Sequence, residues 1–179
     1  MLDRKRANYR KLFPWLTLFI RYFLAVQMIN YGLAKIYYMQ FSFPHPIQFE
    51  QPLGEFSPMG LLWTFMGYSK AYTIFTGILE AVGGLLLLSR NTTTLGALTT
   101  FGVMLNVMML NYCYDVPVKL LSTHLVLFSL FLIALDGKRL IRFFVSNQPV
   151  EPYILLPVYK AADAKTLTWV KWALVVTYL

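Results

Sequence analysis

Four stretches of this sequence, at about 14–37, 71–89, 94–112 and 117–135, are each close to 20 residues long and almost wholly apolar. A helix rising about 1.5 Å per residue needs about 20 such residues to cross the roughly 30 Å hydrocarbon core of a bilayer. The pattern predicts an all-α membrane protein whose centre is a four-helix transmembrane bundle. Composition points the same way: 58% of the 179 residues are hydrophobic and 13% charged, with mean hydropathy +0.55. A soluble domain would carry roughly a quarter charged residues.

The formal net charge of +8 would suggest nucleic acid in a soluble chain, but here the basic residues gather at the ends of the apolar runs. That is where membrane topology puts them, and no nucleic-acid partner is expected. A single cysteine, Cys113, leaves nothing to form an intramolecular disulfide or a multi-thiolate metal site. With two histidines, His45 and His124, neither a metal nor haem is expected.

Lys and Arg retained on the cytoplasmic side set the orientation. Arg4, Lys5, Arg6, Arg10 and Lys11 precede the first span, Arg90 lies in the turn between the second and third, and Lys138, Arg139 and Arg142 follow the fourth. The opposite connections hold Glu50, Glu55, Lys70, Asp115 and Lys119, a nearly neutral set. This reading gives a basic cytoplasmic N-terminus at 1–13, a four-span bundle at 14–135 and a cytoplasmic connection at 136–166, in a bacterial cytoplasmic (inner) membrane. The run after "DGKRLIRFFV" ends in "TLTWVKWALVVTYL" at 166–179, read from about 167 as the start of a truncated fifth span, the alternative being an interfacial helix held by Trp169, Lys171 and Trp172. The first apolar run is longer than a signal-peptide core and no small-residue cleavage site follows it, so it reads as an uncleaved span.

Between the first two spans, "MQFSFPHPIQFEQPLGEFSP" carries helix-breaking proline and glycine, and "MGLLWTFMGYS" is apolar but too short to cross. The second piece is expected to lie in the interface or to re-enter.

Charges deep in hydrocarbon are costly, about 2.5–3.5 kcal/mol each at mid-bilayer. Arg21 lies near the middle of the first span and Glu80 at the centre of the second. Their similar depth predicts a buried ion pair, since guanidinium stays charged and can hold a carboxylate bidentately. The alternative sends Arg21 out to the interface and leaves Glu80 protonated or bonded to Asn106 or Gln27. Lys35, near the end of the first span, is expected to snorkel to water. Asn30 falls on the face opposite Arg21, Met28 and Lys35, looking toward a neighbouring helix or a second subunit. Gly77, Ala81 and Gly84, with Gly83 beside them, supply small residues for close helix packing. Thr99, Gly102 and Asn106 form a stripe on the third span that could face Glu80.

A second polar group gathers at the other end of the bundle: Asn111, Asp115 and Lys119, with His124 somewhat deeper. Asp115 and Lys119 are spaced for a helical pair, although Pro117 suits a helix start. His124 reads as a packing or hydrogen-bonding residue, with a proton-relay or quinone-contact role as the alternative. The aromatics crowding this rim, including Tyr37, Tyr38, Trp63, Tyr68, Tyr72 and Tyr112, form a membrane-interface belt that would also accept a flat ring.

Arg21 early in the first span, "GLAK" closing it at Gly32 to Lys35, "EAVGGLLLL" from Glu80 and a Thr-rich turn into the third span resemble the DoxX/DoxD-like membrane proteins over about residues 15–135. "NYCYDVPVKLLSTHL" is similar to a longer bacterial subgroup that continues past four spans. The resemblance implies a compact four-helix membrane domain associated with quinone-linked redox complexes. The functional expectation is an accessory or anchor subunit, presenting a quinone or small substrate to the Arg21/Glu80 site, with protein subunits of a redox complex as partners. The alternatives are a transporter of a small solute or proton, and a scaffold for a partner protein. No nucleophile–base constellation or phosphate-binding loop is present, so a stand-alone enzyme is not expected.

Overall fold

The first span forms α1 (Leu12–Ile36), a 25-residue helix about 37 Å long. Away from its ends the helix pairs its own backbone N–H and C=O groups, which hydrocarbon surroundings demand. The structure, a computed structural model, describes residues 12–151. Among them are α2 (Pro46–Glu50), a 3₁₀ turn (Leu53–Glu55), α3 (Pro58–Tyr68), α4 (Lys70–Leu88), α5 (Thr93–Cys113), α6 (Lys119–Leu135) and α7 (Gly137–Phe144), with no strand. The basic N-terminal segment before residue 12 and the expected fifth span lie outside the described residues.

α1, α4 and α5 are each long and apolar enough to cross a membrane. α6, at 17 residues, reaches the lower limit for a span and is followed by α7 at a bend of 73°. The protein is thus an all-α membrane bundle of α1, α4, α5 and α6, in which α1 packs chiefly on α4, α4 on α5, and α5 on α6.

The α1–α4 contact is close because glycines remove the side chains that would hold the helices apart. A Cβ on Gly32 would stand 2.6 Å from the Gly77 carbonyl oxygen, and one on Gly77 would stand 2.7 Å from the Gly32 carbonyl oxygen. Small residues at facing positions are the usual device for bringing membrane helices together, because lipid gives them no hydrophobic drive to associate.

The excursion between α1 and α4 holds more helix than its prolines suggest. Pro46 and Pro58 each sit in a first helical turn, where the missing N–H is no loss, so α2 and α3 start at them. The Ser57 hydroxyl caps α3 by accepting from Gly60 N at 3.0 Å. α3 breaks from α4 at the extended Ser69, whose side chain accepts from Tyr72 N. Across the break Thr73 Oγ1 donates to the Met66 carbonyl at 2.6 Å, satisfying a group the end of α3 leaves free.

Two apolar clusters divide the bundle along its length. At the Arg21 end, Ile20, Leu24, Met28, Leu87, Met104 and Leu125 belong to one continuous core. At the Lys35 end, Leu62 and Met66 of α3 meet Phe41 and Val116. α3 therefore closes over the Lys35 end without crossing it, as its length requires.

Candidate functional site

Between these clusters lies a cavity of about 550 Å³. Its walls come from α1, α3, α4, α5 and α6 and are mostly apolar; Met104 and Leu125 of the main core line it, as do Leu62, Trp63 and Met66 of α3. One corner is charged. Lys35 Nζ donates to Glu80 Oε1, and the side chains of both are almost wholly shielded, 7% and 1% exposed. Tyr31, Gln40, Asn106 and Asn111 add polar groups to the wall. The cavity reaches the lateral surface of the bundle between α4 and α5, where Phe75, Gly102 and Asn106 line it and are exposed.

The expected pairing of Arg21 with Glu80 does not form; Glu80 is held by Lys35. Arg21 is buried at the level of the α4–α5 turn, where it donates to Thr93 Oγ1 at 3.4 Å and to the Tyr22 hydroxyl at 2.9 Å. Thr93 Oγ1 in turn donates to the Ser89 carbonyl, which lies nine residues, about 13 Å of helix, beyond Glu80. The physical reason is an axial offset. The midpoints of α1 and α4 are not level, because glycine contacts set Gly84 beside Ala25 and Ile29, and Gly32 beside Gly77 and Ala81. That register lifts Glu80 toward the end of α1 and within reach of Lys35. The lysine, expected to extend outward to water, instead turns its stem along Gly77 into the bundle, with 2.9 Å between its Cβ and the place a Gly77 Cβ would occupy.

Other residues singled out from sequence separate into groups. Gly77, Ala81 and Gly84 lie on the α1 side of α4, while Gly83 faces α5, where a Cβ would stand 2.9 Å from Thr100 Oγ1. Asn106 and Gly102 join the cavity wall, but neither Asn106 nor Gln27 bonds to Glu80. Thr99 turns back to the Leu95 carbonyl. Gln27 and Asn30 are half-buried on α1 and stand outside the cavity wall. Asn111 is buried in the wall, whereas Asp115 and Lys119 pair on the exposed turn before α6. Helix α6 begins at Lys119, two residues after Pro117. Lys119 donates to Asp115 and its charge lies alongside, which together hold the Asp115 carboxyl below the usual carboxylate range. His124 is exposed on α6, donates through Nδ1 to the Leu120 carbonyl at 2.7 Å and packs edge-on against Phe128, away from the cavity.

Sequence reasoning passed over Asp136. It is 4% exposed and joins three elements, accepting from Thr94 Oγ1 at 2.8 Å and from Arg139 Nη2 at 2.7 Å. The signal was present as an acid at the end of an apolar run followed three residues on by arginine, the spacing of a helical pair. The cavity-wall roles of Tyr31, Gln40 and Trp63 carried no such local mark. Among the described residues there is no cluster of three or more His, Cys, Asp or Glu side chains able to hold a metal.

The DoxX family model matches residues 16–112, more than half of the chain and nearly all of the α1–α4–α5 scaffold around the Lys35–Glu80 corner. The chain belongs to the DoxX family. It is also similar to the uncharacterized protein YwoB of Bacillus subtilis (strain 168), 35% identical over 131 residues, which cover 73% of this chain and 82% of that protein. No solved structure matches the chain. Of the motif residues that resembled the family, the DoxX domain holds Lys35 and Glu80 together at the cavity and places Arg21 apart from it.

Proposed function

We propose that this DoxX protein is an accessory subunit of a membrane redox system and holds a lipid-soluble ring compound of the quinone class beside Lys35 and Glu80. The observation that carries the reading is the cavity itself: about 550 Å³ within the membrane bundle, largely apolar, with one shielded ion pair in its wall. A volume in this range suits a small organic ligand, and such sites combine apolar walls with a few placed polar groups. Phe41, Trp63, Tyr72 and Phe75 supply aromatic faces for a flat ring, and the lateral mouth opens where acyl chains would lie. A lipid-dissolved ligand can reach this mouth without passing through water.

The same reading places the Arg21 end in the cytoplasm of a bacterium, with the protein in the inner membrane. Arg90, Lys138 and Arg142 support it, being basic residues at that end of the bundle. α7 also suits the inner surface, with Lys138 and Arg142 on a short helix that exposes Ile141, Phe143 and Phe144. Protein subunits of the redox system would dock outside the cavity wall.

Trp63 in the wall makes the reading testable. Protein in lipid nanodiscs, titrated with a short-chain alkyl quinone, is expected to show saturable fluorescence quenching, of which the share due to Trp63, one of four tryptophans, is lost in Trp63→Phe. Solute uptake into liposomes without any saturable quinone binding would overturn the redox reading in favour of transport.

A further inference from the structure

Glu80 presents only half of its carboxylate to Lys35. Oε1 accepts from the ammonium, while Oε2 is buried and has no hydrogen-bond donor among the described residues. A carboxylate in an ion pair is an acceptor at both oxygens and can offer a donor to nothing. Leaving such an oxygen dry and unpartnered is unfavourable, more so for a charged group than for a neutral one. Glu80 also lines the cavity, so a ligand there lies against this residue. Gln40 Oε1 is a second buried acceptor in the wall without a donor among the described residues, but its amide can turn over and offer N–H instead. Glu80 has no such freedom.

We infer that Glu80 Oε2 is the recognition point for a hydroxyl group on the ligand, so that the cavity takes a hydroquinone in preference to the corresponding quinone. The inference rests on the quinone-class reading above and adds the choice of form. A quinone carries only acceptor oxygens and would set one of them against the carboxylate. A hydroquinone keeps the same ring and tail but places an O–H on the oxygen. That hydroxyl donates to Oε2 and can still accept from the hydrogens of Lys35 Nζ that Glu80 does not take. The pair thus offers a donor and an acceptor side by side, which matches one hydroxyl better than one carbonyl.

Three short-chain ligands with a common ring and tail test this on wild-type protein in nanodiscs, kept anaerobic and followed by isothermal titration calorimetry: the quinone, its hydroquinone, and the dimethyl ether of the hydroquinone. Hydroquinone is expected to bind about tenfold or more tightly than either of the others, the effect of one hydrogen bond to a charged acceptor. Glu80→Gln, with folding checked by its thermal midpoint, should erase that preference, bringing the hydroquinone and quinone affinities to within about threefold of each other. If that variant does not fold, the Lys35→Met/Glu80→Gln double variant makes the same comparison without a buried unpaired lysine. Equal affinity for all three ligands, or tighter binding of the quinone, overturns the inference and leaves the quinone-class reading standing. Failure of all three to bind overturns both.

Discussion

Lys35 reaches Glu80 by running its stem past Gly77, the residue whose missing side chain also lets α1 and α4 touch. Packing and charge are thus one arrangement, and each buried charge depends on the other. Removing one partner strands the other in a low-dielectric site, which typically costs about 3–5 kcal/mol, whereas removing both is far milder. Lys35→Met and Glu80→Gln are each expected to lower the unfolding midpoint in detergent strongly, and the double variant to recover most of the loss. Additive losses in the cycle would show that the pair is not coupled.

Arg21 and Glu80 provide the contrasting case. With the guanidinium at Thr93, whose hydroxyl bonds to Ser89 nine residues along the chain from Glu80, the two share no partner. Arg21→Met combined with Glu80→Gln should therefore give losses that add within about 0.5 kcal/mol, the usual result for separated sites. Arg21→Met alone should be destabilising, since it deletes the donor to Thr93 and Tyr22 from a buried position. Quinone binding, read by Trp63 fluorescence, should be little changed by it.

The difference between these two arginine and lysine roles shows what a single sequence can and cannot reveal. Span positions were legible because length and apolarity in one dimension determine them, and the boundaries of α4 and α5 lie within a residue of those read from sequence. The glycine stripe at Gly77 and Gly84 was legible for the same reason, as a local periodicity. The partner of Glu80 was not, because depth counted within each helix assumes that helix centres are level. Here the α1–α4 glycine contacts fix a different offset, and a lysine stem can extend inward as readily as outward. The cavity was invisible for a related reason: Tyr31, Trp63 and Asn106 come together only when α1, α3 and α5 are assembled.

The Asp115–Lys119 pair makes a pH prediction outside the bundle. Lys119 donates to the carboxylate and stabilises its charge, so Asp115 should titrate below an ordinary aspartate, and Lys119→Met should return it to the usual range. A lowered folded-state pKa means that the stabilisation is present above the unfolded-state value and is lost as pH falls through the folded-state value. The window is thus acidic, below the ordinary aspartate range. Both groups reach solvent, so Asp115→Asn should leave the thermal midpoint nearly unchanged at neutral pH. Carboxyl carbon shifts followed by NMR against pH would check the direction.

Gly32 and Gly102 give a matched pair of substitutions with opposite expected outcomes. A methyl at Gly32 would meet backbone and side-chain atoms of Gly77 and Ala81 at 2.6–2.8 Å, and the helix backbones it faces cannot yield without separating α1 from α4. Gly32→Ala is expected to destabilise by about 1–3 kcal/mol, as overpacking does. At Gly102 nothing lies within 4 Å of the same added atom, so Gly102→Ala should be neutral or slightly stabilising in a helix. The open space there is the cavity mouth between α4 and α5. Gly102→Phe should accordingly fold with a near wild-type midpoint yet slow association of the alkyl quinone on the order of tenfold, within the range seen for access-limiting changes. Stopped-flow quenching of Trp63 measures that rate directly, and an unchanged rate in a folded Gly102→Phe protein would place the route to the cavity somewhere other than between α4 and α5.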